Sequence, residues 1–196
     1  MTIDRLPARR RLPPAQRRSL ILAAAAEVFG ERGYAAGSVD AIGARMGISG
    51  AAIYRRFARK QNILIALLDE AVTRALVDLD AGERAADDPK IRLKQIVQQM
   101  VKHTAAERTT LRLIHSEIVD LDEADRAQVK AIGERLMEPV TVAMRAMRPT
   151  LAREAAVLQV RACFAVLGGF ATTMPSAFDS DLQSVTARVL LAILEA

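Results

Sequence analysis

What this chain lacks narrows its chemistry first. It has no tryptophan, and its aromatic residues are five phenylalanines and two tyrosines, so any core must be built from aliphatic side chains. A single cysteine, Cys163, excludes an intrachain disulfide framework and fits a reducing, cytoplasmic setting. The only histidines, His103 and His115, have no cysteine cluster beside them, and no glycine-rich phosphate loop is present. Without a nucleophile beside a base, or a set of metal ligands, an enzyme is not expected, nor a metal or cofactor. The N-terminus is charged and carries Pro7, Pro13 and Pro14, with no apolar signal region after it. The longest uncharged run, residues 162–178, contains Gly168, Gly169, Thr172, Thr173 and Pro175. It barely reaches spanning length and reads as a buried helix, not a membrane segment.

What is present points to helix and to a polyanion. Apolar residues make up 51% of the 196 positions, enough for a real core. Alanine, leucine, arginine and glutamate are abundant and strand signals are poor, so the expected class is all-α. The net charge of +5 is unevenly spread. The first 60 residues carry 12 Lys/Arg against four Asp/Glu, and the remainder carries 16 against 19. A basic head on a slightly acidic body suggests that the head binds an anionic polymer and the body has another task.

Residues 1–14 read as a basic arm in which Arg5, Arg9, Arg10 and Arg11 either graze DNA or stay solvated. The spacing of Ile21, Leu22, Ala25, Val28 and Phe29 predicts a helix over 17–32, stopped by Gly33. Ser38 then caps a short helix over 39–46 that faces inward with Val39, Ile42 and Met46, and Gly47 ends it. Ser49 caps a third helix over 50–57 with Ile53 and Phe57 inward. Two short helices around a Gly-Ile-Ser turn make a helix-turn-helix, whose second helix enters the DNA major groove. Tyr54, Arg55, Arg56, Arg59 and Lys60 would then lie outside, needing solvation or an anionic partner. A fourth helix is expected over 59–79, a polar loop over 82–88, and further helices over 89–106, 109–119, 123–147, 151–174 and 180–195. Pro139 should kink or break the third of these.

Ala24-Ala25, Phe29, Glu31, Gly33-Tyr34, Ser38-Val39, Ile42, Gly47-Ile48-Ser49, Ile53-Tyr54, Phe57, Lys60 and Leu64 stand in a spacing that resembles the TetR family of bacterial transcriptional regulators. Ala51, Arg59, Gln61 and the side-chain-free Gly50 depart from its usual pattern. The resemblance implies an N-terminal three-helix helix-turn-helix head over 15–75 and a larger helical effector-binding and dimerisation domain over 76–196. It also implies a homodimer formed through the last two long helices, double-stranded operator DNA as partner, and release of a repressor from a palindrome by a small molecule. By position, Ser38, Ser49, Gly50, Ala51, Tyr54, Arg55, Arg56 and Lys60 resemble the family's DNA contacts, with Arg55 able to reach a base. Ala52 joins them as a residue small enough to touch a thymine methyl, or merely as a good helix former. A nonspecific or constitutive DNA binder without effector is the alternative.

In the body, Met100, Met137, Met144, Met174, Phe164 and Phe170 are adaptable apolar side chains suited to a hydrophobic effector, and His103 lies among them. Cys163 reads as an inert core thiol. Gly168-Gly169 either lets helices approach at a dimer seam or bends one beside the pocket.

Overall fold

Helices α1–α9 and one 3₁₀ turn account for the regular structure of the computed structural model, which describes residues 13–83, 87–173 and 180–196. No strand occurs among those residues. The basic arm through residue 12, and the part of the expected 82–88 loop at 84–86, lie outside them. The chain divides into two units, Met1–Ala58 and Arg59–Ala196, so the whole helix Lys60–Glu83 falls in the second, whereas the expected boundary lay at residue 75.

In the first unit, α1 spans Pro14–Ala36 and starts earlier than expected. Pro14 stands at a helix start, where its missing N–H costs nothing and its fixed φ is already helical. Ile21, Leu22, Ala25, Val28 and Phe29 are all buried, as the periodicity requires. Gly33 interrupts the helix with φ +75° and ψ 165°, and the chain turns on to Ala36. The second helix, α2, is Val39–Met46, capped by Ser38, whose Oγ accepts from the Ala41 amide at 3.0 Å. Gly47 closes it in the left-handed region at φ +65°. Val39 and Ile42 are buried, but Met46 is only half-buried.

Helix α3 is Gly50–Tyr54, shorter than the expected 50–57. The Arg56 and Phe57 amides both donate to the Ile53 carbonyl, at 2.8 and 3.1 Å, so the chain keeps turning and carries Phe57 inward without further helix. Ile53 and Phe57 are buried as expected. Side chains of this size contribute about 1.5–3 kcal/mol each when fully buried, which orients a helix too short to be stable alone.

The second unit holds α4 (Lys60–Glu83), α5 (Pro89–Ala106), α6 (Arg108–Glu117), the 3₁₀ turn Ile118–Asp120, α7 (Glu123–Met147), α8 (Arg153–Thr173) and α9 (Ser180–Glu195). Asp88 caps α5 through the Lys90 amide at 2.7 Å, with Pro89 in the first turn. Asp122 caps α7 through the Asp125 amide at 2.8 Å. Of the expected kink or break at Pro139, the break does not occur: α7 runs through it from Glu123 to Met147. The lost hydrogen bond is offset by Val140, Ala143 and Met144, which follow it into the core. Helix α4 packs on α5, α6 and α7; α8 packs on α6, α7 and α9. Their shared core includes Ile96, Val97, Met144, Val160, Cys163 and Leu190.

Helix α8 corrects a second expectation. By length and composition it is apolar enough to cross a membrane, yet only 28% of its most apolar window is buried within the chain. Leu158 is 69% exposed on it. On α9, Val185 and Val189 are also exposed.

Candidate nucleic-acid interface and effector cavity

The helix-turn-helix owes its geometry to missing side chains as much as to caps. A Cβ on Gly43 would lie 2.6 Å from the Ile48 carbonyl oxygen, so α2 and the turn can meet this closely only at glycine. A Cβ on Gly50 would lie 2.1 Å from Asp40 Oδ1. Gly50 is buried, and what it supplies is room between α2 and α3. Ser38 and Ser49 both spend their hydroxyls as caps, Ser49 Oγ accepting from the Ala52 amide at 3.3 Å. Arg45 ties α2 to α1 by donating to Glu27 at 2.7 Å and to both oxygens of Glu31 at 2.9 and 2.6 Å. That hydrogen-bonded guanidinium holds the Glu31 carboxyl below its ordinary range.

With Ile53 and Phe57 inside, Ala51, Tyr54, Arg55 and Arg56 are exposed and Ala52 is half-buried. Arg55 and Arg56 form no ion pair with any described residue. The basic run nevertheless splits in two. Arg59 belongs to the second unit and finds its anions within the chain, donating to Asp122 at 2.8 Å and to Asp125 at 2.9 Å. The expectation that this residue needs solvent or an external anion is thereby corrected. Lys60, which opens α4, is half-buried; burial lowers its ammonium pKa and Glu117 opposes that. Outward cationic charge beside α3 therefore comes from Arg55 and Arg56.

The second unit contains a cavity of about 150 Å³. Helix α4 supplies Leu68, Ala71, Val72, Ala75 and Leu79, and α5 supplies Gln99, Met100, His103 and Thr104. Leu111 of α6, Gly133 and Leu136 of α7, and Phe164, Leu167 and Gly168 of α8 complete the wall. Of the residues expected there, Met100, His103 and Phe164 line it. Met144 is instead fully buried in the core and Met137 packs against that core. Phe170, half-buried on α8, is not in the wall, and Met174 lies outside the described residues. Leu136, the neighbour of Met137, lines the cavity; choosing adaptable side chains by type does not fix which face of the helix they occupy. Leu68, Ala71, Val72 and Ala75 recur at helical spacing on α4; periodicity marks an inward face without saying whether protein or a void lies opposite.

Gly168 adjoins the cavity, and an added Cβ would meet nothing within 4 Å. The same holds for Gly133. Within the chain these glycines leave space and do not serve close helix contact. Burial lowers the His103 pKa; Glu107 and Asp78 oppose this and Arg74 adds to it. Cys163 is fully buried, and burial pushes its thiol up to about 11, which makes it a poor nucleophile at neutral pH. No group of three metal-ligating side chains occurs among the described residues, and His115 is exposed.

Residues 21–67 match the family model for bacterial regulatory proteins of the tetR family. The HTH-type transcriptional activator FasR of Mycolicibacterium smegmatis (strain ATCC 700084 / mc(2)155) is 31% identical over 130 residues, 66% of this chain and 59% of that protein. The chain therefore spans under two thirds of this curated relative's length. The TetR family regulator PfmR from Thermus thermophilus superposes with a TM-score of 0.67 at 25% identity, covering 90% of this chain and 97% of its own. The fatty acid degradation regulator FadR from Bacillus halodurans shares the fold, with a TM-score of 0.76 at 21% identity over 94% of this chain and 97% of its own. The match over residues 21–67, together with these relatives, shows that the chain carries the head of the bacterial regulatory proteins of the tetR family.

Proposed function

We propose that the protein is a cytoplasmic, homodimeric repressor that binds a palindromic operator and leaves it when a small apolar effector enters the body. The observation that carries this reading is the outward face of α3: Tyr54, Arg55 and Arg56 exposed above buried Ile53 and Phe57. This exposed cationic and phenolic face lies on the second helix of a helix-turn-helix, the element that enters the major groove. Arg55 reads base edges, an arginine on guanine O6 and N7 being worth about 1–3 kcal/mol of discrimination. Arg56, Tyr54 and Lys60 set the position of the duplex through its backbone, with Ser38, Ser49 and Ala51 beside them. The exposed apolar residues of α8 and α9 supply the dimer seam, and the cavity supplies the effector site. For an effector to release DNA it must bind the DNA-incompetent dimer more tightly than the competent one.

Selection of genomic fragments by the purified protein, followed by footprinting, tests the reading. A protected palindrome supports it, and uniform coverage supports the nonspecific alternative. The sign of control is read from expression beside that palindrome after the gene is deleted. Activation is the second reading, favoured by the match to a relative named as an activator; it predicts a fall in expression where repression predicts a rise.

A further inference from the structure

The cavity wall is chemically lopsided. Its polar side chains, Gln99, His103 and Thr104, all come from α5, and every other lining side chain is apolar. The side chains of Gln99 and Thr104 make no hydrogen bond to any described residue; Thr104 is buried and Gln99 half-buried. Their amide and hydroxyl therefore keep hydrogen-bonding capacity that a molecule in the cavity can use.

The wall offers no compensation for charge. No lysine or arginine lines the cavity among the described residues. Arg74, the cation that acts on His103, is already engaged by Glu107 at 2.6 Å and Glu70 at 3.3 Å. His103 itself faces Asp78 at 3.9 Å, and burial disfavours its charged form against the pull of Glu107 and Asp78. A carboxylate entering here would lose its hydration without gaining a counter-ion.

We propose that the effector is a small, uncharged amphiphile, with an apolar body of about ring size and one neutral hydrogen-bonding group that Gln99 and Thr104 read. The inference rests on the cavity being the effector site. Size follows from the volume, since an apolar cavity of about 150 Å³ takes up a benzene-sized guest. The amide and the hydroxyl each donate and accept, so a hydroxyl or carbonyl satisfies both.

The test uses the whole chain, labelled with ¹³C at methionine methyls, with the Met100 signal assigned through Met100→Leu. Toluene, benzyl alcohol and benzoate are titrated at neutral pH. Benzyl alcohol is expected to bind roughly tenfold more tightly than benzoate and several-fold more tightly than toluene. In the Gln99→Leu/Thr104→Val variant, its advantage over toluene should vanish. Benzoate binding as tightly as the alcohol, or an advantage that survives in the variant, overturns the proposal while leaving the cavity as a ligand site. If none of the three moves the Met100 signal, or if the shifts persist in Gly168→Leu, the effector reading falls as well. Gly133→Leu blocks the same cavity from α7, and circular dichroism shows which variant retains its helices.

Discussion

Arg59 and Asp122, 63 positions apart, form an ion pair at 2.8 Å, and the same guanidinium holds Asp125 at 2.9 Å. Asp122 is also the cap of α7, and Asp125 is buried, with its second oxygen making no hydrogen bond. One arginine thus neutralises an exposed and a buried carboxylate at the start of a single helix.

Removing Arg59 leaves the Asp125 carboxylate buried and alone, which destabilises more than losing an exposed pair does. Arg59→Ala should lower the thermal midpoint, and Asp125→Asn should restore part of the loss in the double variant. A midpoint equal to that of the parent chain would show that the pair is only a surface contact. Asp122 adds a pH dependence. Its carboxyl is held below the usual range, first by the Asp125 amide and then by Arg59. Such a group stabilises the fold above its unfolded pKa of about 3.9 and stops doing so as pH falls through the lower folded value. The difference in urea midpoint between the parent and Asp122→Ala should therefore be full at pH 7 and shrink through the acid range. A difference that does not change with pH would remove the cap from the account.

Gly43 and Gly50 look equivalent in sequence, but substitution should separate them. A methyl on Gly43 meets a backbone oxygen that cannot move without shifting the turn, whereas one on Gly50 meets the rotatable Asp40 carboxylate. Gly43→Ala should cost about 1–3 kcal/mol of head stability, and Gly50→Ala less. Denaturant unfolding monitored on the head reads both, and equal costs would mean the turn yields as readily as a side chain.

Arg56→Ala should flatten the salt dependence of DNA binding by about one in log–log slope, whereas Arg55→Ala, which removes a base contact, should weaken operator binding. Arg55→Ala should also narrow the gap between operator and random duplex; equal weakening on both would make it a phosphate contact. Lys60→Ala should change the slope less, because Lys60 is half-buried. Fluorescence anisotropy across a salt series measures all three.

The head was more legible in sequence than the cavity, for a physical reason. Caps and left-handed glycines are local: Ser38, Ser49 and Gly47 act within a few residues, so their spacing alone predicts α2 and its turn. The expectation for α3 overran because Phe57 is buried whether or not helix reaches it, and apolar spacing records burial, not hydrogen bonding. The fate of Arg59 depends on carboxylates more than 60 positions away, which no window of the sequence contains. A void leaves no residue of its own, so Met137 and Met144 were as plausible for its wall as Met100.

Leu158 on α8, and Val185 and Val189 on α9, expose apolar side chains to water in one chain. Charge placed in the middle of a seam must be desolvated without a partner when two copies meet. Leu158→Glu should raise the dimer dissociation constant roughly 100-fold, and Val189→Glu should act in the same direction. Val77→Glu on α4, equally exposed at 66%, is the control and should leave the dimer intact. Sedimentation velocity across a micromolar dilution series reads the mass of each. A Leu158→Glu chain that sediments as the parent does would move the seam away from α8. Equal loss of dimer in the Val77 control would mean that added charge, not position, governs association.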